Sequence, residues 1–226
     1  MLGLGNSLAR GGVLSGFPNT YSLDFDGTND YVTVPVELDD NDGSSIWTLS
    51  GWFYLPADIS TDGLWGYDNA NTLYRSSTTQ ITIYWGSALA TSTITPNDWN
   101  HIVVTRNGSA WSLYVNAGTP VTATSSNYDD GTTFILGGQG TGNTLQGKMD
   151  EVAIWDVALD ADAVSAIYNS GTPIALDADL GNYDNSSSLQ AWWRFEEGSG
   201  TSATDSSTNS NTGTLTNGPA YSTDVP

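Results

Sequence analysis

The chain has 226 residues, no cysteine, one histidine, and 25 acidic residues against five Lys plus Arg, a formal charge of −20. That balance repels phosphate backbones and anionic bilayers. The absence of thiols and of a second imidazole excludes disulfides, cysteine nucleophiles and multi-histidine zinc centres, leaving oxygen-ligated hard cations, calcium foremost, as the metal chemistry open to it.

Nine Trp supply core area, while 25 Gly with frequent Ser, Thr and Asn supply turns, so one all-β domain is expected at this length. Residues 1–17 read as an apolar, Gly-rich arm, with Leu2, Leu4, Leu8, Val13 and Leu14 spaced between glycines at 3, 5, 11, 12 and 16. Ordering so many glycines is costly unless a surface receives them, so the arm is expected to dock on the domain or on a neighbouring subunit. It lacks the basic start and unbroken apolar stretch of a secretory signal, and nowhere does an apolar run approach the ~18 residues that span a bilayer.

From residue 18 onward the period is two. Strands are expected at Ser22–Phe25, Tyr31–Val34, Thr48–Leu55, Leu73–Arg75, Ile81–Trp85, His101–Arg106, Trp111–Val115, Thr133–Leu136, Lys148–Trp155, Ala191–Phe195 and Gly213–Leu215. Ile81, Ile83 and Trp85 share one face, as do Ile102 with Val104 and Trp111 with Leu113 and Val115, which marks them as core stripes. Asn107-Gly108 signals a tight hairpin. A single short helix follows Asp160, its N-cap, with Val164, Ile167 and Tyr168 on one side and Gly171 as a left-handed stop, and it is expected to pack on a sheet edge. Residues 62–69 read as a loop.

Three phrases occur in order: Tyr-Ser-Leu-Asp-Phe-Asp-Gly-Thr-Asn-Asp-Tyr-Val at 21–32, Trp-Asn-His-Ile-Val-Val-Thr-Arg-Asn-Gly at 99–108, and Gly-Lys-Met-Asp-Glu-Val-Ala-Ile-Trp at 147–155. Together they resemble the laminin-G-like branch of the concanavalin A-like lectin/glucanase superfamily, of the kind found in bacteriophage structural proteins, over nearly the whole chain after Phe17. The resemblance implies a two-sheet antiparallel jelly-roll sandwich used for adhesion and for glycan or protein contact. One feature departs from the family order: Ala-Trp-Trp-Arg-Phe-Glu-Glu-Gly-Ser-Gly at 191–200 resembles the phrase that usually opens such domains. A circularly permuted order is therefore expected, with the carboxy-terminal strands beside Ser22–Phe25.

Glucanases of this superfamily carry Glu-x-Asp-x-x-Glu on one strand, where alternate acids share a face and can stand at the spacing of a retaining mechanism. This chain has no such strand. Glu37 to Gly43 reads as a solvated loop, and adjacent acids such as Asp150-Glu151 or Glu196-Glu197 should point to opposite faces. His101 has no Gly-x-Ser-x-Gly partner phrase and reads as a structural imidazole bonded to backbone or carboxylate. Calcium is the expected cofactor, with Asp26, Asn29 and Asp30 in one turn and Asp150 with Glu151 as candidate ligands, and with Asp39–Asp42 and Asp177–Asp184 as further clusters; turn capping is the competing role for these side chains. Trp65 and Tyr67 are the candidate glycan or partner contacts.

The expected function is a non-enzymatic structural component of a virus particle: a decoration, fibre or tail adhesion protein. Its arm would contact other virion proteins in a symmetric assembly, and its rim loops would face the medium or a host-surface glycan. An extracellular-type module without an export signal fits release by lysis, hence a virion-surface location. The alternatives are a secreted bacterial carbohydrate-binding or adhesion module, and a glycoside hydrolase or lyase.

Overall fold

The computed structural model describes residues 17–38, 45–58, 61–68, 71–127, 133–139 and 143–226. The arm residues Leu2, Leu4, Leu8, Val13 and Leu14 and the Asp39–Asp42 cluster lie outside them. The elements run β1 (Ser22–Asp26), β2 (Tyr31–Val34), β3 (Ile46–Tyr54), β4 (Asp62–Asp68), β5 (Asn71–Ser77), β6 (Gln80–Trp85), β7 (Ala88–Thr93), β8 (Trp99–Asn107), β9 (Ala110–Val115), β10 (Val121–Thr124), β11 (Phe134–Leu136), β12 (Gln146–Trp155), α1 (Ala161–Tyr168), β13 (Leu189–Trp193), β14 (Ser202–Ala203), β15 (Gly213–Thr216) and β16 (Ala220–Ser222).

They form the expected all-β, two-sheet sandwich. The first sheet has the order β10-β9-β8-β3-β12-β1-β16, and the second β14-β15-β2-β11-β4-β5-β6-β7; every pairing is antiparallel. All the predicted strands are present. Carboxy-terminal strands close both sheets at the amino-terminal ones, β16 on β1 with Leu23 opposite Tyr221 and β15 on β2 with Val32 opposite Leu215, as a permuted order requires. The strand β4 corrects the loop expected over 62–69: its two glycines and two register shifts hide the period of two, yet its backbone pairs with both β5 and β11.

The predicted stripes meet between the sheets. Trp47 on β3 packs edge-on against Trp65 and Trp111, at 6.2 and 5.5 Å between ring centroids, and against Trp85 at 6.1 Å. Such offset and edge contacts suit the ring quadrupoles and fill the interior. The hairpin between β8 and β9 turns on Gly108 (φ +58°) and Ser109, the φ pattern of a II′ loop, so the turn sits one residue later than Asn107-Gly108 suggests.

Asp160 caps α1 by accepting from the Ala163 N–H at 2.8 Å. The helix stops at Asn169 (φ +44°), two residues before Gly171, because Asn also tolerates the left-handed region. Nor does α1 sit on a sheet edge. It lies on the outer face of the first sheet, where Val164 and Ile167 join Val103, Ala153 and Trp155 in a second apolar cluster and Tyr168 stacks on Trp52 at 5.8 Å and on His101 at 5.9 Å. The apolar outward residues Val103 on β8 and Ala153 and Trp155 on β12 explain this: they need a cover, and an edge position for the helix would leave them wet.

Candidate functional site

Two polar constellations stand out, one open and one closed. The open one lies on the outer face of the second sheet. Because Leu73 and Arg75 point inward on β5 and Ile81, Ile83 and Trp85 point inward on β6, Tyr74 and Tyr84 must point outward. They are diagonal neighbours, Tyr74 opposite Thr82 and Tyr84 opposite Thr72, with ring centroids 6.5 Å apart and planes at 70°. Beside Tyr74 the partner strand carries Gly63, where a Cβ would stand 2.4 Å from the Gln139 amide nitrogen; only glycine lets the segment at Gly138–Gln139 lie this close. That segment forms a wall, held by Asn143 donating from Nδ2 to Gln139 Oε1 at 2.8 Å and by Gly63 N–H donating to the Asn143 carbonyl at 2.8 Å.

The result is a groove of about 250 Å³ lined by Thr61, Asp62, Tyr74, Tyr84, Gln139 and Asn143. It is a little below the roughly 300–1,000 Å³ of sites that enclose a drug-sized ligand, so it suits a single ring. Asp62 is almost wholly buried; Oδ2 accepts from the Gln146 N–H at 3.2 Å and Oδ1 has no hydrogen-bond partner. Burial pushes its carboxyl up to about 6, against the opposing pull of Arg75 and the Gln146 amide.

The closed constellation lies beneath α1. On β12 the register against β3 shifts between Asp150 and Ala153, and Glu151 takes φ +49°. This bulge is the correction to the expectation that Asp150 and Glu151 point to opposite faces: Met149 and Val152 both face the inter-sheet core, and the two acids between them both turn outward. Asp150 accepts from Asn19 Nδ2 and from the Glu151 N–H, each at 2.9 Å; Glu151 accepts from Trp192 Nε1 at 2.6 Å and Arg194 Nε at 3.2 Å. Burial raises both carboxyls, Glu151 to about 8 and Asp150 well above its usual range; the Glu151 charge raises Asp150 further, and nearby Glu196 raises both. The Arg194 charge and the Trp192 donor pull Glu151 the other way and lose to desolvation.

Next to Glu151, Ser50 Oγ and His101 Nε2 are hydrogen-bonded at 2.8 Å, so the partner of the imidazole is a hydroxyl and not the backbone or carboxylate expected. Full burial pushes His101 down to about 3, and its Nδ1 has no partner. Ser50, His101 and Glu151 border a cavity of about 10 Å³, room for no more than one water.

The remaining predicted site residues do other work. Trp65 and Tyr67 are not surface contacts: both face the inter-sheet core, Trp65 with no exposed area and Tyr67 with its hydroxyl accepting from the Leu38 N–H at 2.6 Å. The reason is that their segment is a central strand. Asp26 Oδ1 accepts from the Thr28 N–H at 2.7 Å, Asp30 Oδ2 from the Asp26 N–H at 3.2 Å, and the Asn29 carbonyl from Asn217 Nδ2 at 2.8 Å. Those oxygens are spent on the turn. In the Asp177–Asp184 stretch, Asp179 Oδ1 likewise caps Ser186, from its N–H at 3.1 Å and its hydroxyl at 2.7 Å. Among the described residues no three His, Cys, Asp or Glu side chains converge as a metal site, and a guanidinium 3.2 Å from Glu151 makes that pair a poor fit for calcium. Tyr74 and Tyr84 escaped the sequence reading, although the inward stripes already fixed them as outward; Gln139 and Asn143 belong to a Gly-rich stretch with no such signal.

Residues 26–165, more than half of the chain, match the family model described as the concanavalin A-like lectin/glucanases superfamily. No curated protein sequence matches. Among solved structures, a Bacteroides ovatus protein provisionally described as carbohydrate-binding is similar over 93% of this chain and 62% of its own, at 17% identity and a TM-score of 0.68. The heptameric SAP-like pentraxin of Limulus polyphemus is similar over 66% of this chain and 82% of its own, at 16% identity and a TM-score of 0.50. Trypanosoma rangeli sialidase bound to sialic acid is similar over 67% of this chain and 28% of its own, at 17% identity and a TM-score of 0.51. The chain thus spans about three fifths of the Bacteroides protein, 62%, and at these identities the likeness is one of fold.

Proposed function

The chain belongs to the concanavalin A-like lectin/glucanase superfamily, and from that premise we propose that it is a non-enzymatic glycan-contact module whose binding site is the Tyr74–Tyr84 groove. The observation that carries this reading is the pair of half-exposed aromatic rings beside the bonded side-chain amides of Gln139 and Asn143. Ring faces pack on the C–H face of a sugar, and side-chain amides both donate to and accept from its hydroxyls. A non-catalytic role is supported by the other site: Asp150 and Glu151 are the most strongly perturbed acids among the described residues, and the cavity that Glu151 adjoins admits a water but no sugar. The test is a glycan microarray followed by titration calorimetry. Tyr74→Ala and Tyr84→Ala should each weaken binding about tenfold, roughly 1.4 kcal/mol, with melting temperature nearly unchanged. Full affinity in both variants would remove the site.

As a finer proposal, this module serves adhesion on a virus particle, anchored by residues 1–16. What supports it is the composition of that arm, with Leu2, Leu4, Leu8, Val13 and Leu14 among five glycines, and an acidic body that stays soluble and separate until docked. Native mass measurement of the full chain tests it: a strictly monomeric protein that fails to bind any particle component would exclude it.

A further inference from the structure

Resting on the glycan reading above, we infer that the groove takes an uncharged pyranose and rejects acidic sugars such as sialic acids, uronates and sulfated residues. Positive charge is scarce in this chain and absent from the described groove lining. Five Lys and Arg exist in the chain, and every one among the described residues is either fully buried or ion-paired. Arg75 is fully buried, donates to the Pro56 carbonyl and lies opposite Asp62. Arg106 is fully buried, donating from Nε to the Gly108 carbonyl and from Nη2 to the Asn127 carbonyl, both at 3.0 Å, with its guanidinium 4.9 Å from the Trp111 ring. Lys148 is paired with Asp224 at 2.9 Å and covers the Tyr54 ring at 4.5 Å. Arg194 is held by Glu151 and the Pro18 carbonyl and lies over Phe17. The fifth, Arg10, lies outside the described residues.

None of the four described cations lines the groove, and Asp62 is the one acidic group among its described lining residues. Carboxylate and sulfate groups on ligands are recognised by charge-assisted hydrogen bonds, above all from arginine. Here a sugar anion would shed its hydration facing two tyrosines, two amides, a threonine and a carboxyl group, within the field of a body carrying −20. A neutral ring loses nothing of the kind. Its hydroxyls find the Gln139 and Asn143 amides and Thr61, and its apolar face finds the tyrosines.

The experiment compares lactose with sialyllactose and neutral gluco-oligosaccharides with heparin fragments, and adds chitosan oligomers beside their acetylated counterparts, all on the full chain at physiological salt. Neutral ligands should bind at least about tenfold more tightly than their acidic partners, a difference lost on Tyr84→Ala. Thr61→Arg, which places a guanidinium in the groove wall, should gain sialyllactose binding. Equal affinity for lactose and sialyllactose, or preference for heparin, overturns the charge inference while leaving the glycan reading intact. Tighter binding of chitosan than of its acetylated form also overturns it, since the preference would then be for cations. No binding to any glycan by the folded protein sinks the reading on which it rests.

Discussion

At residue scale, three hydrogen bonds of Asn100 show how the Trp-Asn-His phrase works in this chain. Trp99-Asn100-His101 starts β8, and Asn100 wraps the preceding turn by accepting from the Thr95 N–H and donating to the Thr95 and Asp98 carbonyls, all at 2.9 Å. That fixes where β8 begins, and so delivers the next side chain, His101, to Ser50 on β3. With its pKa driven down to about 3, the imidazole stays neutral throughout the physiological range, so it is not a pH sensor. Ser50→Ala would leave a buried nitrogen unpaired and should cost about 1–3 kcal/mol by urea denaturation, with glycan affinity unchanged. Loss of any catalytic turnover in that variant would instead show Ser50 as a nucleophile.

At the scale of elements, the bulge in β12 has a purpose visible in its neighbours. One side of β12 is covered by β3 along most of its length; the other is covered by β1 over Gln146–Met149 and by β13 from Val152, leaving Asp150 and Glu151 in the gap. The segment entering β1 is fastened there. Phe17 stacks on Trp192 at 5.8 Å, Asn19 donates to Asp150, and the N–H groups of Thr20 and Tyr21 donate to Glu196 Oε1 at 2.8 and 3.1 Å. Phe17, expected as the last residue of the arm, therefore packs as part of the domain. The pH dependence follows. Glu151 has a folded pKa near 8 against 4.5 unfolded, so its contribution is complete below about pH 4.5 and is lost as pH rises toward 8; Asp150 acts in the same direction. Asp224, held below its usual range by Lys148, loses its contribution only below about pH 4, outside that window. The denaturation midpoint should therefore fall between pH 5 and 8.5, and Glu151→Gln, which cannot ionise, should flatten the slope. A midpoint that rises over this interval would contradict the assignment.

At the scale of the whole molecule, charge dominates. A body with −20 and only one described ion pair besides Arg194–Glu151 repels itself more than it attracts. Raising sodium chloride from about 10 mM to 0.5 M shortens the screening length from roughly 30 Å to under 5 Å, so the melting temperature should rise by several degrees. A fall, measured calorimetrically, would mean that attractive pairs outweigh the repulsion. The same acidity suits a surface module in saline medium and opposes adventitious binding to nucleic acid.

The sequence by itself determined the sandwich and most of its strands, the inward stripes, the capped helix and the place of the carboxy-terminal strands beside β1 and β2, because period-two alternation and turn chemistry are local properties written residue by residue. It also contained, unread, the outward direction of Tyr74 and Tyr84. Only the tertiary structure decided the rest. Trp65 and Tyr67 went inward because glycine-broken β4 is a central strand, and Asp150 and Glu151 came to one face because a single left-handed residue shifts the parity of a strand. The amide wall formed because Gly63 lets a distant segment approach. Each of these depends on what lies opposite in space, and a bulge or a close crossing leaves no periodic trace along the chain.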